Sequence, residues 1–462
     1  MTMMLAFIDI ARDFIHGFMS TQLFVSVHVL LIVVHVMLGA VAYCTYGERK
    51  VSAYIQDRVG PNRTGFDFGL PFLKFFKGAL GLGQPLADGI KFLLKEDYTP
   101  PRADKVLFTL APAVVVIPAL LGFVVLPWGG YFDFPPIGDI PLIGPIGEWL
   151  FGPIGGERVV VAGLDANVGI IYLLAIASLG VYGVVLGGWA SNNKYSFLGG
   201  LRATAQMGSY EIPRGLALMA ALLITGTIMP MGIINYQQEN GWLLFSQPIA
   251  AVLFFIAILA EANRAPFDNA EAEQELVGGY NTEYASMRYA LFFLAEYMHM
   301  VTSCAFFALL FLGGFGLYGL PFTGVEDTGI LAVLVKFGVF FGKALLLVIF
   351  MMFIRWTLPR MRYDQVMFLG WQSMIPLSLS VVVMTAVMVF YGLTAWWQLL
   401  AANVVLGGAL LLIQPLLPKQ PLNQKLKLYG SRFNPMEGER VTHAAPAGMS
   451  REDRPYEGTA PA

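Results

Sequence analysis

Glu261-Ala262-Asn263-Arg264-Ala265-Pro266-Phe267-Asp268-Asn269-Ala270-Glu271-Ala272-Glu273-Gln274-Glu275 separates two apolar runs, 246–261 and 287–315. The stretch concentrates five carboxylates, one arginine and an X-Pro turn. The runs beside it are rich in Leu, Ile, Phe, Ala and Met, as membrane helices are. Carboxylates next to a membrane are costly, so such a run marks a proton or ion path or a charged partner.

The same apolar pattern recurs along the chain. A spanning helix needs ~20 mostly apolar residues. Candidate spans lie at 21–45, 104–127, 167–190, 210–234, 246–261, 287–315, 331–354, 366–392 and 395–417. Of the 462 residues 56% are hydrophobic and 13% charged, where a soluble domain carries about 25% charged. Mean hydropathy is +0.64. The expected fold is an all-α polytopic membrane protein, with about eight core transmembrane helices, a ninth at 395–417, and cytoplasmic amphipathic helices. Residues 1–20 form an amphipathic lead-in without the features of a secretory signal. Residues 21–392 form the membrane domain, and 418–462 a polar tail, largely disordered.

Basic residues set the expected topology. Region 46–103 carries Arg49, Lys50, Arg58, Arg63, Lys74, Lys77, Lys91, Lys95 and Arg102. Its aliphatic and aromatic residues suggest interfacial helices. Later odd-numbered loops hold Lys194, Arg202, Arg264, Arg288, Arg355, Arg360 and Arg362; even-numbered ones hold only Arg158. The positive-inside rule puts the odd loops and the basic tail in the cytoplasm and the N-terminus outside. The Gly- and Pro-rich segment 128–165 reads as an irregular external loop. The acidic loop, 261–286, is cytoplasmic.

Several functions are excluded. A net charge of −2 does not suit nucleic acid, which wants a basic stripe. The only cysteines, Cys44 and Cys304, cannot ligate an iron–sulfur cluster within this chain. His28 and His35 share one helix face and cannot give both axial ligands to one haem; His299 would have to supply a second helix. No nucleotide-binding or hydrolytic motif is present, and no metal ligands are expected.

The remaining charges inside apolar runs are the candidate sites. Glu211 precedes Arg214 by three residues, so the two can pair on one helix face; a structural ion pair or a proton relay both fit. Glu296 has no basic residue within a turn, and a lone carboxylate in a low dielectric suits reversible protonation. Glu271 and Glu275 would stack on one helical face, with Glu273 pointing away; they read as a jointly titrating set or as a solvated acidic loop that docks a partner. Lys343 lies deep and needs an acidic partner or a wet cavity.

Three stretches together resemble the membrane heel component of bacterial NADH–quinone oxidoreductase, the H subunit of respiratory complex I. One is Gly47-Glu48-Arg49-Lys50 with Tyr54-Ile55-Gln56 and Arg58-Val59-Gly60-Pro61-Asn62-Arg63. Another is Gly81-Leu82-Gly83-Gln84-Pro85-Leu86-Ala87-Asp88-Gly89-Ile90-Lys91 with Lys95-Glu96. The last is Pro266-Phe267-Asp268 with Glu271, Glu273, Glu275 and Gly278-Gly279. Ala295-Glu296-Tyr297 and Arg355 with Pro359-Arg360-Met361-Arg362 support it. The resemblance covers the first helix to about residue 392. It implies a subunit without a redox centre that forms a quinone tunnel. Flavin and iron–sulfur clusters would sit on partners, an iron–sulfur subunit of the peripheral arm among them. Small membrane subunits of a proton axis would pack alongside, in a bacterial inner membrane.

By the same resemblance Glu48, Arg49, Arg58, Asp88, Phe292 and Phe293 would line the tunnel. Glu211, Glu261, Asp268, Glu271, Glu273, Glu275, Glu283 and Glu296 would form an acidic proton path. Arg264, Arg214, Lys343, Arg355 and Arg362 would hold or couple it. Apart from the resemblance, coupling needs an element with two states, and Gly278-Gly279 is the expected mobile loop. The stretch Phe66–Leu80, the long 128–165 loop, Gln372 after Trp371 (commonly Lys in the family) and the ninth helix with its tail depart from the pattern. Two other readings compete: the equivalent subunit of a membrane-bound hydrogenase or deazaflavin-dependent dehydrogenase, and a stand-alone cation or proton transporter.

Overall fold

The computed structural model describes residues 20–66, 78–139, 154–269 and 278–413. The N-terminal lead-in, most of Phe66–Leu80, Glu271, Glu273, Glu275 and the tail lie outside them. The chain divides into two compact units, Met1–Ala409 and Leu410–Ala462. In the second, the described residues are the last turn of one helix.

The first unit is a helical membrane bundle. Helix α1 is Thr21–Ile55, α2 Gln84–Leu94 and α3 Lys105–Leu121; α4 is Gly169–Ala190, α5 Lys194–Thr225, α6 Pro230–Asn240 and the short α7 Leu243–Ser246. Then follow α8 Pro248–Glu261, α9 Ser286–Phe311, α10 Ile330–Thr357, α11 Tyr363–Phe368, α12 Ile375–Phe390 and α13 Trp396–Ile413. Helices suit a bilayer because they satisfy their own backbone polar groups. Their ends follow the sequence. Ser20 caps α1 through Leu23 N (3.2 Å), Asp104 caps α3 through Val106 N (3.0 Å), and Asn193 caps α5 through Tyr195 N (2.9 Å). At its far end α5 stops at Gly226, whose φ of 65° is left-handed, a conformation that glycine adopts without steric cost.

Among the described residues, five helices are long and apolar enough to cross a membrane: α1, α4, α9, α10, and α11 with α12 taken together. The pair α5 and α6, bent by 63°, makes a sixth. Shorter apolar helices stand at α3, α8 and α13. Burial orders the long ones. The apolar window of α9 is 78% buried, against 22–28% in the other four, so α9 is the central post and the others face lipid. Its buried face, with Val301, Cys304, Ala308 and Phe311, packs into one core with Phe254 of α8 and Phe340 of α10.

Several elements differ from the sequence expectation, the break of the expected 210–234 span at Gly226 among them. Helix α1 does not end at 45 but continues through Ile55; at 1.5 Å per residue it is about 50 Å long, well beyond a ~30 Å hydrocarbon core. Polar residues at 46–55 suggested an interfacial segment, but with no Pro or Gly break after Gly47 the helix runs on. Helix α5 likewise begins at Lys194, not 210, so Glu211 sits mid-helix. The segment 128–165, expected to be irregular and external, holds regular structure: Tyr131–Phe134 (β1) pairs antiparallel with Glu157–Val160 (β2), Tyr131 opposite Val160.

Small residues let helices approach closely. A Cβ placed on Gly183 of α4 would lie 2.9 Å from Val115 N and 3.1 Å from Ala111 O of α3. Gly183→Val is therefore expected to force α3 and α4 apart. The loss is roughly 1–3 kcal/mol, read as a lower thermal midpoint of the detergent-solubilised protein; an unchanged midpoint would mean that the helix pair tolerates the extra volume.

Candidate functional site

A large cavity of about 1060 Å³ opens between α1, α2, α9 and α10. That is the upper end of the range for small-molecule sites. Most of its wall is apolar: Val41, Leu86, Ile90, Leu93, Phe293 and Leu294 contribute. Four charged side chains also line it, Glu48, Arg49, Asp88 and Arg355. The length of α1 places two of them, since Glu48 and Arg49 ride its last two turns. Arg49 Nη1 donates to Asp88 Oδ2 at 2.7 Å, tying α1 to α2. Asp88 also accepts from Gln84 Nε2 at 3.1 Å, one turn earlier on α2.

Glu48 is buried, 7% exposed, where an isolated carboxylate would be unstable. It accepts hydrogen bonds from Arg355 of α10 and from the Tyr297 hydroxyl of α9. Arg264 Nη1 approaches its Oε2 at 3.7 Å. Arg264 comes from the turn after α8. Its guanidinium lies over the Tyr297 ring, 4.2 Å from the centroid, and its Nε stands 3.2 Å from Glu296 Oε1. The partner of Glu296 thus comes from another element, not from its own helix.

Glu296 faces a second, small cavity of about 40 Å³, shared with Glu261, Asn263, Phe292 and His299. Its walls are mostly apolar, with Val115, Ile176, Val184 and Met207 among them, but these polar groups give a few water molecules partners in a volume that can hold them. Glu261 pairs with the buried Arg214, and His299 Nε2 lies 3.4 Å from Glu261 Oε1. So the sequence spacing of Glu211 and Arg214 is not their pairing: Arg214 reaches across to α8, while Glu211 accepts from Ser178 of α4. Arg264 therefore separates two charged neighbourhoods, one on the large cavity and one inside the bundle.

Other candidates fall elsewhere. Phe293 lines the large cavity, but its neighbour Phe292 lines the small one and packs on Tyr280 and Tyr284. Arg58 is exposed beside Gln56 and lines neither cavity. Glu283 accepts from Asn193, and Asp268 is buried, 6% exposed, outside both linings. Arg362 pairs with Asp364 on the surface at 3.4 Å. Among the described residues no acid pairs with Lys343: its ammonium donates to the carbonyls of Leu312, Gly314 and Gly316 at 2.6–2.9 Å and stacks on Trp242. Leu312 is the C-cap of α9, and Gly314 and Gly316 lie in the turn beyond it, so Lys343 holds that helix end and its turn and stands apart from the site. His28 and His35 each bond a carbonyl one turn back on α1.

The expected hinge at Gly278-Gly279 is tightly placed, since a Cβ on Gly199 would lie 2.6 Å from the Gly279 carbonyl carbon. Tyr284, in the same loop, stacks on Phe108 and donates to its carbonyl at 3.2 Å; burial pushes its phenol up, so it stays a donor. Sequence reasoning missed Tyr289 and Trp356 on the large cavity wall, which no charge or motif marked. Among the described residues no His, Cys, Asp and Glu group could hold a metal ion.

Comparison with known proteins gives the lineage. The profile of the NADH dehydrogenase family matches residues 27–386. The NADH-quinone oxidoreductase H subunit 1 of Geobacter sulfurreducens is 44% identical over 363 residues, 78% of this chain and 93% of that protein. The corresponding H subunit 1 of Cytophaga hutchinsonii is 41% identical over 343 residues, 74% of this chain and 90% of its own. The H subunit of Leptospira biflexa is 42% identical over 369 residues, 79% and 94%. With the match running from the first helix through α12, the chain belongs to the NADH dehydrogenase family, among the membrane H subunits of NADH–quinone oxidoreductase.

Proposed function

We propose that the large cavity receives the quinone and that the Arg264 contacts link quinone reduction to proton translocation. One observation carries this reading: Arg264 stands between a carboxylate on the cavity wall, Glu48, and one inside the bundle, Glu296. The apolar wall suits an isoprenoid quinone, and Arg49, Asp88, Glu48 and Arg355 offer polar partners for a head group. Electrons would come from an iron–sulfur subunit of the peripheral arm, with flavin further upstream on partner subunits. Reduction of a quinone takes two electrons and two protons. Charge arriving in the cavity changes the field at Glu48, and with it the balance of Arg264 between its two acids. The proton path then runs through Glu296 and the small cavity to Glu261 and Glu211. By the resemblance Glu271, Glu273 and Glu275 would belong to the same path, and neighbouring small membrane subunits would take it onward. The charge pattern of the loops supports a cytoplasmic side for this site, with the N-terminus outside and the tail inside.

Glu296→Gln keeps the shape of the side chain but cannot titrate. Normal assembly is expected, with coupled quinone turnover and proton pumping lower by about tenfold. Pumping by the purified complex in proteoliposomes measures this, and native pumping would remove Glu296 from the path. Arg49→Ala removes a charged donor from the cavity wall. Apparent quinone affinity should fall about tenfold, or roughly 1.5 kcal/mol, while NADH oxidation by a water-soluble acceptor stays native. A defect confined to assembly would count against a cavity role for Arg49.

A further inference from the structure

The turn that carries Arg264 has to be held by something other than its own charge contacts. Helix α8 ends at Glu261, and the last carbonyls of a helix lack partners one turn on. Ala262 N serves Ile258 O at 2.9 Å and Arg264 N serves Leu259 O at 3.2 Å. Ala260 O is served from another helix: Gln206 Nε2 of α5 donates to it at 2.8 Å. The same nitrogen lies 2.9 Å from Phe267 O and 3.1 Å from Asn263 Oδ1. One amide group therefore grips the segment 260–267 at both ends and in the middle. Two N–H bonds facing three acceptors fix which way the amide is turned, because the opposite orientation would set oxygen against oxygen. Gln206 is fully buried, so bulk water does not compete for these bonds.

Gln206 is also one of a row. Gln206, Tyr210 and Arg214 fall four residues apart on one face of α5. Tyr210 packs edge-on against Phe267, and Arg214 pairs with Glu261. All three address α8 and the turn after it, but of the three only Gln206 holds the backbone on both sides of Arg264. Asn263, in the left-handed region at φ 48°, is its third contact.

We propose that Gln206 is a positioning residue for the coupled reaction: by clamping segment 260–267 it sets where Arg264 stands between Glu48 and Glu296. This rests on the Arg264 reading above. Gln206→Met preserves length and removes both donors. Letting the turn drift by a fraction of an ångström is expected to lower quinone reductase turnover per assembled complex about tenfold. NADH oxidation by a water-soluble acceptor should remain native. Gln206→Asn keeps both N–H groups but is one methylene too short to serve 260 and 267 together, so its loss is intermediate; it carries the test when the Met variant does not assemble.

A double-variant cycle decides the matter, because residues that act through one another are not additive. With Arg264→Gln already in place, either Gln206 substitution is expected to cost nothing further in turnover or in protons pumped per electron. If Arg264→Gln impairs coupling but the two losses multiply, Gln206 does not act through Arg264 and the assignment is overturned. Native turnover per complex in the Gln206 variants overturns it as well. If Arg264→Gln alone is native in turnover and pumping, the Arg264 reading itself falls, and the Gln206 proposal with it.

Discussion

One buried cation between a buried acid and a largely enclosed one is the constraint around which this bundle is arranged. A guanidinium has no neutral form to retreat to at ordinary pH, so Arg264 must be met by charge wherever it is placed. Glu48 from α1 and Glu296 from α9 meet it, and the Tyr297 ring lies beneath it. Glu48 in turn has Arg355 from α10. Four elements distant in sequence are thus bound together at one point, and none could shift without exposing an uncompensated charge. Burying ions is seldom the cheapest way to stabilise a fold. Their presence at the boundary of two cavities therefore argues for function more than for strength.

The fold was legible because membrane helices announce themselves by length and apolarity. The segments expected at 167–190, 331–354 and 366–392 correspond to α4, α10 and α12. Boundaries were harder where a helix leaves the membrane and turns polar while continuing as a helix, as α1 does past Gly47 and α5 does before Tyr210. Hydropathy reports the solvent around a helix, whereas hydrogen bonding decides where it stops. The β1–β2 hairpin was hidden for a related reason: each strand has four residues, too short for a periodic signal.

Individual charges in the site were visible, but their partners were not. Arg214 sits three residues from Glu211 and pairs with Glu261, 47 residues away. Glu296 looked solitary because its counter-ion arrives from a loop. The depth of Lys343 called for an acid or a wet cavity, yet three carbonyls at the C-cap of α9 and in the turn beyond it receive its ammonium. Adjacent residues can also serve different spaces, since on a helix Phe292 and Phe293 point about 100° apart, one into each cavity. Pairing of this kind is a property of packing, which one-dimensional spacing does not encode. Gln206 shows the complementary blindness, because an uncharged side chain raised no alarm although it holds the turn.

The shortness of α8 has an electrical meaning. Its 14 residues make about 21 Å of helix, against ~30 Å of hydrocarbon. At its end stand ions and amides, Glu261, Asn263, Arg264 and Gln206, all more polarisable than lipid. Voltage falls mainly across the least polarisable layer, so beside α8 the membrane is thinner to an electric field than it is to a lipid. A charge that crosses only the apolar part of this helix would do most of the work of crossing the whole bilayer, about 2.3 kcal/mol per 100 mV. In a bilayer the truncated helix would concentrate the membrane potential on a short path ending at Glu261.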